Sequence, residues 1–523
     1  MFAFAIYDKE LNKLSLVRDR FGMKPIFFVE KKDQVFFASE TQALIRSKII
    51  DKNNLNLNSI STYLTFRQPI ISDVFFNEIK TLEPGQIIEF DNNKNIKKSF
   101  YWKIPNMSEK IEGKTENYYT ELIYEQLDRS IKEHLTSDVD VGVLLSGGLD
   151  SSIVTGLSSK YLKENFRTFS ASYSHEGYDE SKDAKVISDN FKTNHLNVEI
   201  NYNNYLEENE KLIGKTLNPL MMPHEIPLNI LFSEIKKKVK VVLSGEGADE
   251  FFGGYSRDQG LIFDYKKLKI LQKNNLLKNK AVLSFLDLKK YISLNTLDFQ
   301  SVLRKNYCWF SQEDKFNILS NDFSLQLNKD QETNVYFDKF FSDISVVNDD
   351  EKFIYFFQKL HLKALLRRLD YISMSNSVES RCPFLDHKLV ETISRVPFQY
   401  KLRWKSKFNK FLGYFNSSAR NSDNTIISKY ILRNLSKKIL PKKITNKKKI
   451  GFPTPLDLWF SNNLKLKAKE IILDKSFTSK NLFDENKLIS LIENKKNYPY
   501  DFWGKQIWLL INLSIWFNAL EKN

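Results

Sequence analysis

The chain has 523 residues, of which 42% are hydrophobic and 27% charged, the balance of a soluble globular protein long enough for two or three cores. No apolar run approaches membrane-spanning length, the opening MFAFAIYDKE lacks the basic segment and long apolar core of a signal peptide, and the two cysteines, Cys308 and Cys382, stand far apart; a spanning protein, a disulfide framework and a structural zinc site are thereby excluded, and a reducing cytoplasm is expected. The net charge of +15 comes largely from lysines scattered among asparagines and isoleucines, with dense clusters at Lys236 to Lys238 and Lys447 to Lys449, so solvated surface and attraction for a nucleotide are expected rather than a nucleic-acid or membrane partner.

Residues 1 to about 105 read as β-rich. FAFAIYD, KLSLVRD, IFFVE and VFFASE are short apolar or alternating runs separated by polar turns. A polar stretch from Ile104 to Glu116, with Pro105 and Gly113, reads as a linker, giving expected domains at 1–105 and 116–523. Leu122, Ile123, Leu127, Ile131 and Leu135 then recur at helical spacing. His134, near the end of that helix, reads as a capping or surface residue.

The stretch VDVGVLLSGGLDSS, Val139 to Ser152, organises the rest. Its apolar run suits a buried parallel strand, and it stops at Ser146-Gly147-Gly148 before a new apolar pattern begins at Ile153. Strand, glycine turn and helix start form an anion site: glycines let consecutive amides point at one group, and the helix adds its unpaired N–H groups and dipole. Ser146, Ser151 and Ser152 add hydroxyl donors. Asp150 repels phosphate unless a divalent cation lies between, and Mg²⁺ suits that role. The lysine of a Walker loop is missing.

RTFSASY (Arg167 to Tyr173), a helix through Ala184 to Phe191, HLNVEI (His195 to Ile200) and KVKVVLSGEGADEFFGGY (Lys238 to Tyr255) continue a strand–helix alternation. That pattern predicts an α/β fold with a doubly wound parallel sheet, whose ligands bind past the carboxyl ends of the strands. SGEGADE falls at such an end, with Glu246, Asp249 and Glu250 suited to a metal shell or to accepting hydrogen bonds from ribose or an amine. Residues 260 to 350 read as helical and aromatic. LLRRLDYISMSNSVESRCPFLD (Leu365 to Asp386) reads as a helix broken at Pro383, and Lys449 stands two residues before Gly451-Phe452.

The SGGLDSS loop resembles the pyrophosphate loop of the N-type ATP pyrophosphatases, and RDRFGMKPIFF, FASE and LEPGQIIEF resemble the later part of a class II glutamine amidotransferase (Ntn-type) domain. With SGEGADE, SVESRCPFLD and KIGF in the same order, the chain resembles the asparagine synthetase B family over Met1 to about Trp516. The resemblance implies an adenine nucleotide α-hydrolase-like synthetase domain with added helices, using ATP and Mg²⁺ to adenylate the aspartate side chain and ammonia to give asparagine, AMP and pyrophosphate.

By the same resemblance ATP sits on Ser146, Gly147, Gly148, Asp150, Ser151 and Ser152. Leu145 and Ala171 border adenine, and Ser244 and Gly245 lie against the nucleoside. Asp150 and Asp249 hold the metal, Glu246 orients ammonia or acceptor, and Lys449 steadies charge on the α-phosphate. The family's nucleophile is an N-terminal cysteine, whereas residue 2 is Phe2 and MFAFAIYD matches a strand well inside that domain. The chain is therefore expected to begin mid-domain, from an upstream start or as a truncated product, with open strand edges, a half-covered core and no glutaminase activity.

Leu217-Asn218-Pro219 and Lys363-Ala364 depart from the family's acidic residues, which leaves the acceptor open between aspartate and a sugar carboxylate of surface polysaccharide. The same loop type in tRNA-modifying enzymes, and a non-catalytic remnant, are further alternatives. Family members often form homodimers.

Overall fold

The computed structural model describes the chain except Asp33 and residues 92–94, 106–108, 174–179, 201–203, 344–348, 446, 448–453, 455, 462–463 and 494–501. The first hundred residues form two antiparallel sheets. Strands β1 (Ala3–Asp8), β2 (Lys13–Arg18), β6 (Gln86–Phe90) and β7 (Ile96–Phe100) pair in the order β1-β2-β6-β7, while β3 (Phe27–Lys31), β4 (Gln34–Ala38) and β5 (Lys80–Thr81) pair in the order β4-β3-β5. Alternation in sequence decides which side is covered. Leu16, Ile26, Phe28, Leu82 and Ile88 form one buried cluster, with Ala3 and Ala5 of β1 against it. Phe4 and Ile6, on the opposite face of β1, are 40% and 55% exposed. β1 pairs only with β2 among the described residues, so the expected open edge and half-covered face are both present.

The second sheet is parallel. Strands β8 (Val141–Leu144), β9 (Arg167–Tyr173), β10 (Asn194–Ile200), β11 (Val241–Leu243) and β12 (Glu379–Arg381) lie in the order β10-β9-β8-β11-β12. The chain winds outward from β8 through β9 to β10, then returns to the other side of β8 for β11. The order reverses between β8 and β11, the place where open α/β sheets bind ligands. Val143, Val242 and Leu243 are buried to 0% exposure, as strands covered on both faces require.

β12 was not foreseen. The helix expected to run on to Pro383 is Leu362–Ser375, followed by Ser377 at φ 57 and then the edge strand. Glu379-Ser380-Arg381 has no strand-forming composition; the free edge of β11 imposes the conformation, and Glu379 N–H donates to the Lys240 carbonyl at 2.8 Å. The helical spacing of Leu122 to Leu135 corresponds to the helix Glu116–His134, capped by the Thr115 hydroxyl, which accepts from Tyr118 N–H at 3.2 Å. His134 ends that helix, and its ring nitrogen Nδ1 bonds the Ser130 carbonyl at 2.8 Å.

The two sheets' regions share one core. The C-terminal helix Trp503–Lys522 is apolar around its whole circumference, which marks a core helix rather than an amphipathic surface one. No helix among the described residues is long and apolar enough to cross a membrane. Trp516 packs against Phe75 and Phe76, with ring centroids 5.0 and 5.9 Å away, and its indole N–H donates to the Leu217 carbonyl at 2.9 Å. Residues from the first eighty, from the sheet domain and from the last twenty therefore meet at one side chain. Trp516→Ala is expected to cost about 3–5 kcal/mol and to expose residues 57–76 to protease, as read by denaturant unfolding and mapped cleavage.

Candidate active site

Two loops emerge side by side from β8 and β11. In the first, Gly147 has φ 77, and a side-chain carbon there would lie 2.6 Å from the Ala184 amide nitrogen and 2.9 Å from the Glu180 carbonyl oxygen. Only glycine satisfies both the backbone angle and the approach. The helix Leu149–Ser158 starts at once, with Gly148 at its N-cap and Asp150 in its first turn. Ser151 Oγ accepts from Ser146 N–H at 3.2 Å, and Ser146 Oγ accepts from Gly148 N–H at 3.3 Å. The loop's own hydroxyls thus hold the places that anionic oxygens can take. In the second loop, a side-chain carbon on Gly245 would lie 3.1 Å from both Asp150 Cβ and Ser151 N, so the two loops touch through bare backbone.

A cavity of about 410 Å³ opens over both loops. Of the residues singled out from sequence, Leu145, Ser146, Gly148, Asp150, Ser151, Ala171, Ser244, Gly245, Glu246 and Asp249 line it. Gly147 and Ser152 do not. Gly147 shapes the turn from behind, and Ser152 is buried to 0% exposure under the loop with its hydroxyl unpartnered. The helical period decides this: two consecutive serines at the start of a helix lie about 100° apart, so Ser151 faces the cavity and Ser152 the core. Lys449 lies outside the described residues; Lys447, which is described, lines the cavity and pairs with Glu180 and with Asp183 at 2.8 Å.

Sequence reading missed the cation at the centre. Lys429 Nζ reaches Asp150 from the first loop and Asp249 from the second, the latter at 2.6 Å. Burial works against its charge, and the two carboxylates outweigh that, holding the ammonium above the ordinary lysine value. Arg433, one helical turn on, also lines the cavity and donates to the Ser428, Thr445 and Lys447 carbonyls at 2.9, 2.8 and 3.0 Å. A lysine and an arginine four apart at a helix start was the available signal, masked by the many lysines around it.

Asp150 and Asp249 converge on one positive centre, which is the donor set of a hard divalent cation shared with phosphate oxygens and water. Among the described residues no group of three or more His, Cys, Asp or Glu gathers as a metal site. The pair fits Mg²⁺ arriving with a nucleotide better than a resident metal.

The far end of the cavity has a different character. Arg368 pairs with both Glu246 and the His224 ring, beside Met222 and Leu365. Burial, and then Arg368, push His224 well below the usual histidine value, so the ring is neutral. Behind it Glu225 accepts from the Met221 and Met222 amides at 2.7 and 2.8 Å, and burial still lifts its carboxyl to about 7. Of the departures at 217–219 and 363–364, none lines the cavity, and Ala364 packs against Met222 and Leu365, which do. Lys363 pairs with Asp73 and Glu83 at 3.0 and 2.8 Å, and Asn218 donates to the Thr41 hydroxyl at 2.7 Å, tying the first hundred residues to the parallel-sheet region.

The comparisons with known proteins can now be set against this geometry. The family model described as asparagine synthase matches residues 122–518, and the glutamine amidotransferase domain model matches residues 1–102. The chain belongs to the asparagine synthase family. It is 27% identical over 532 residues to asparagine synthetase [glutamine-hydrolyzing] 1 of Bacillus subtilis, covering all of this chain and 78% of that protein. It is 25% identical to asparagine synthetase [glutamine-hydrolyzing] 3 of the same organism, over 99% of this chain and 79% of that one. A putative asparagine synthetase 2 of Methanocaldococcus jannaschii is 33% identical over 49% of each chain. The asparagine synthase match spans both strand-end loops, Lys429 and Arg368.

Glu250 lies beside this family site and is 1% exposed, accepting from the Tyr255 hydroxyl at 2.6 Å. Burial, then Asp249 and Glu246, raise its carboxyl to about 8. Between about 4.5 and about 8 the folded state keeps a proton that the unfolded chain has lost, so stability falls as pH rises through that window and is level above it. Glu250→Gln removes the titration while keeping an acceptor for Tyr255. Its unfolding midpoint, relative to the parent, is expected to be higher at pH about 9 than at pH about 5, as followed by urea denaturation.

Proposed function

We propose that the chain adenylates a carboxylic acid with ATP and transfers the acyl group to ammonia, forming an amide, AMP and pyrophosphate. The single observation that carries this is the junction of Asp150, Lys429 and Asp249, which joins two strand-end loops in a cavity that also holds the Arg368–Glu246 pair. The family membership supplies the reaction type, and aspartate is the first acceptor to consider. In this reading residues 1–105 form the glutaminase-derived part and residues 116–523 the synthetase.

The β- and γ-phosphates sit on the Ser146 and Gly148 amides and the Ser151 hydroxyl, at the positive end of the helix Leu149–Ser158. Leu145, Ala171, Ser244 and Gly245 border the nucleoside. Asp150 and Asp249 would hold Mg²⁺, which would lower the charge of the leaving pyrophosphate. Lys429 then faces the phosphates in place of those carboxylates, and Lys449 adds charge at the α-phosphate. A carboxylate oxygen of the acceptor, oriented by Arg368, displaces pyrophosphate from the α-phosphorus. Ammonia attacks the resulting acyl carbon beside Glu246, AMP leaves with the C–O bond electrons, and the carboxylate takes up a proton from the attacking nitrogen.

A sugar carboxylate is the second reading, and one observation favours it. The cavity's acids are already engaged, Glu246 by Arg368, Asp150 and Asp249 by Lys429, and Glu180 by Lys447; an α-ammonium group finds no uncommitted carboxylate among the described lining residues.

Isotope exchange between ATP and pyrophosphate, with aspartate and a uronic acid offered separately, tests both. Aspartate-dependent exchange that Asp150→Ala lowers by about a hundredfold is expected; exchange with the uronic acid alone transfers the proposal to the second reading, and exchange unchanged in Asp150→Ala sinks it. A polypeptide of these 523 residues, with Phe2 at its second position, is expected to amidate with ammonium salts and to release no glutamate from glutamine, as measured by coupled glutamate assay.

A further inference from the structure

The second cluster that the site leaves unused is on the surface. The segment Arg403 to Asp423 carries Arg403, Lys405, Lys407, Lys410 and Arg420 against a single acid, Asp423 at its end. Its short helix Lys407–Gly413 and the turn after it present Phe408, Phe411, Tyr414 and Phe415 to solvent, at 66%, 59%, 50% and 37% exposure. Phe285, 69% exposed, joins them from the helix Lys280–Phe285, its ring 5.7 Å from that of Phe415. Exposed aromatics gathered in this way mark an interaction surface.

The patch is held outward by the fold. Asn421 Nδ2 donates to the Gly413 and Asn416 carbonyls at 3.0 Å each, and the buried Lys267 ammonium reaches the same two carbonyls. Two acids reach this region: Glu116 pairs with Arg403 at 3.4 Å, and Asp287 accepts from the Ser417 hydroxyl at 2.6 Å and from its amide at 3.2 Å. Both carboxylates are engaged, and Lys405, Lys407, Lys410 and Arg420 of the same segment remain exposed.

We propose that this face docks on an anionic lipid surface, with Phe285, Phe408, Phe411 and Phe415 entering the headgroup–acyl boundary and the lysines meeting lipid phosphates. Aromatic side chains ringed by cations of one sign have the two components of interfacial binding, apolar insertion and attraction to anionic lipid. A second copy of this chain is disfavoured, because a two-fold contact would set these lysines and arginines against themselves. Stacking of nucleic-acid bases is disfavoured by ring geometry. Phe285 and Phe411 meet Phe415 edge to face at interplanar angles of 83° and 74°, so these rings do not form the parallel platform on which successive bases stack. Peripheral docking of this kind needs no spanning helix and departs from the expectation of no membrane partner.

Co-sedimentation with vesicles of phosphatidylcholine, with and without phosphatidylglycerol, tests it on the full chain. The parent is expected to pellet with the anionic vesicles at low salt, to remain in solution with phosphatidylcholine alone, and to be released as salt rises. Phe408→Ser with Phe411→Ser is expected to lower partitioning about tenfold at an unchanged thermal midpoint. Lys407→Glu with Lys410→Glu, which leaves the rings in place, is expected to lower it by about as much. The proposal is overturned if the parent does not pellet with anionic vesicles, or if neither pair of substitutions weakens the binding. It is also overturned by a dimer, seen in sedimentation velocity, or by retention of single-stranded RNA, that Phe408→Ser with Phe411→Ser abolishes.

Discussion

One ammonium group holds the site together. β8 and β11 are hydrogen-bonded neighbours, so the loops that leave their ends bring Asp150 and Asp249 into the same small volume. Two carboxylates in that setting repel, and burial adds a desolvation cost. Lys429 reaches both, from a backbone at φ 52 whose N–H donates to the Gly253 carbonyl at 3.2 Å. The cation is supplied by a part of the chain about 180–280 residues further on. The glycine turn after β8 is local, but its charge balance is not.

That balance also sorts the ionisable groups of the cavity into two kinds. Near the loops, acids are matched by lysines: Asp150 and Asp249 by Lys429, Glu180 and Asp183 by Lys447. At the far end burial prevails: Glu225 is pushed up to about 7 and His224 is held neutral. Glu250, next to Asp249 at the second loop, is raised to about 8 by burial and by its acidic neighbours. The first environment presents lysines to the cavity, and the second presents Arg368 among buried, largely neutral groups. The thiols take no part, since burial lifts Cys308 to about 12 and raises Cys382 further from the thiolate.

The first hundred residues are built into the synthetase rather than appended to it. Lys24 pairs with Asp370 at 2.7 Å, the Trp102 indole donates to Glu391 at 2.9 Å, and Lys363 is clamped between Asp73 and Glu83. Phe27, Val29, Tyr63 and Phe75 share a core with Trp508 and Trp516 of the last helix. Asn218 and Lys363, polar residues that depart from the family's pattern, are used at this joint.

Local chemistry made much of this legible. Val141 to Leu144, Arg167 to Tyr173 and His195 to Ile200 announce strands through continuous apolar or alternating runs, and Gly147 announces its turn because few other residues tolerate that backbone. The alternation of strand and helix was enough to predict a parallel sheet with its site at the strand ends. Three things were decided only by the tertiary structure. Glu379–Arg381 became a strand because β11 offered an unpaired edge, Ser152 was turned into the core while Ser151 faced the cavity, and Lys429 was selected from many similar lysines to neutralise Asp150 and Asp249. In each case the deciding force acts between residues distant in the chain, where a hydrogen-bonding edge, a packed interior or an unbalanced charge exists only after folding.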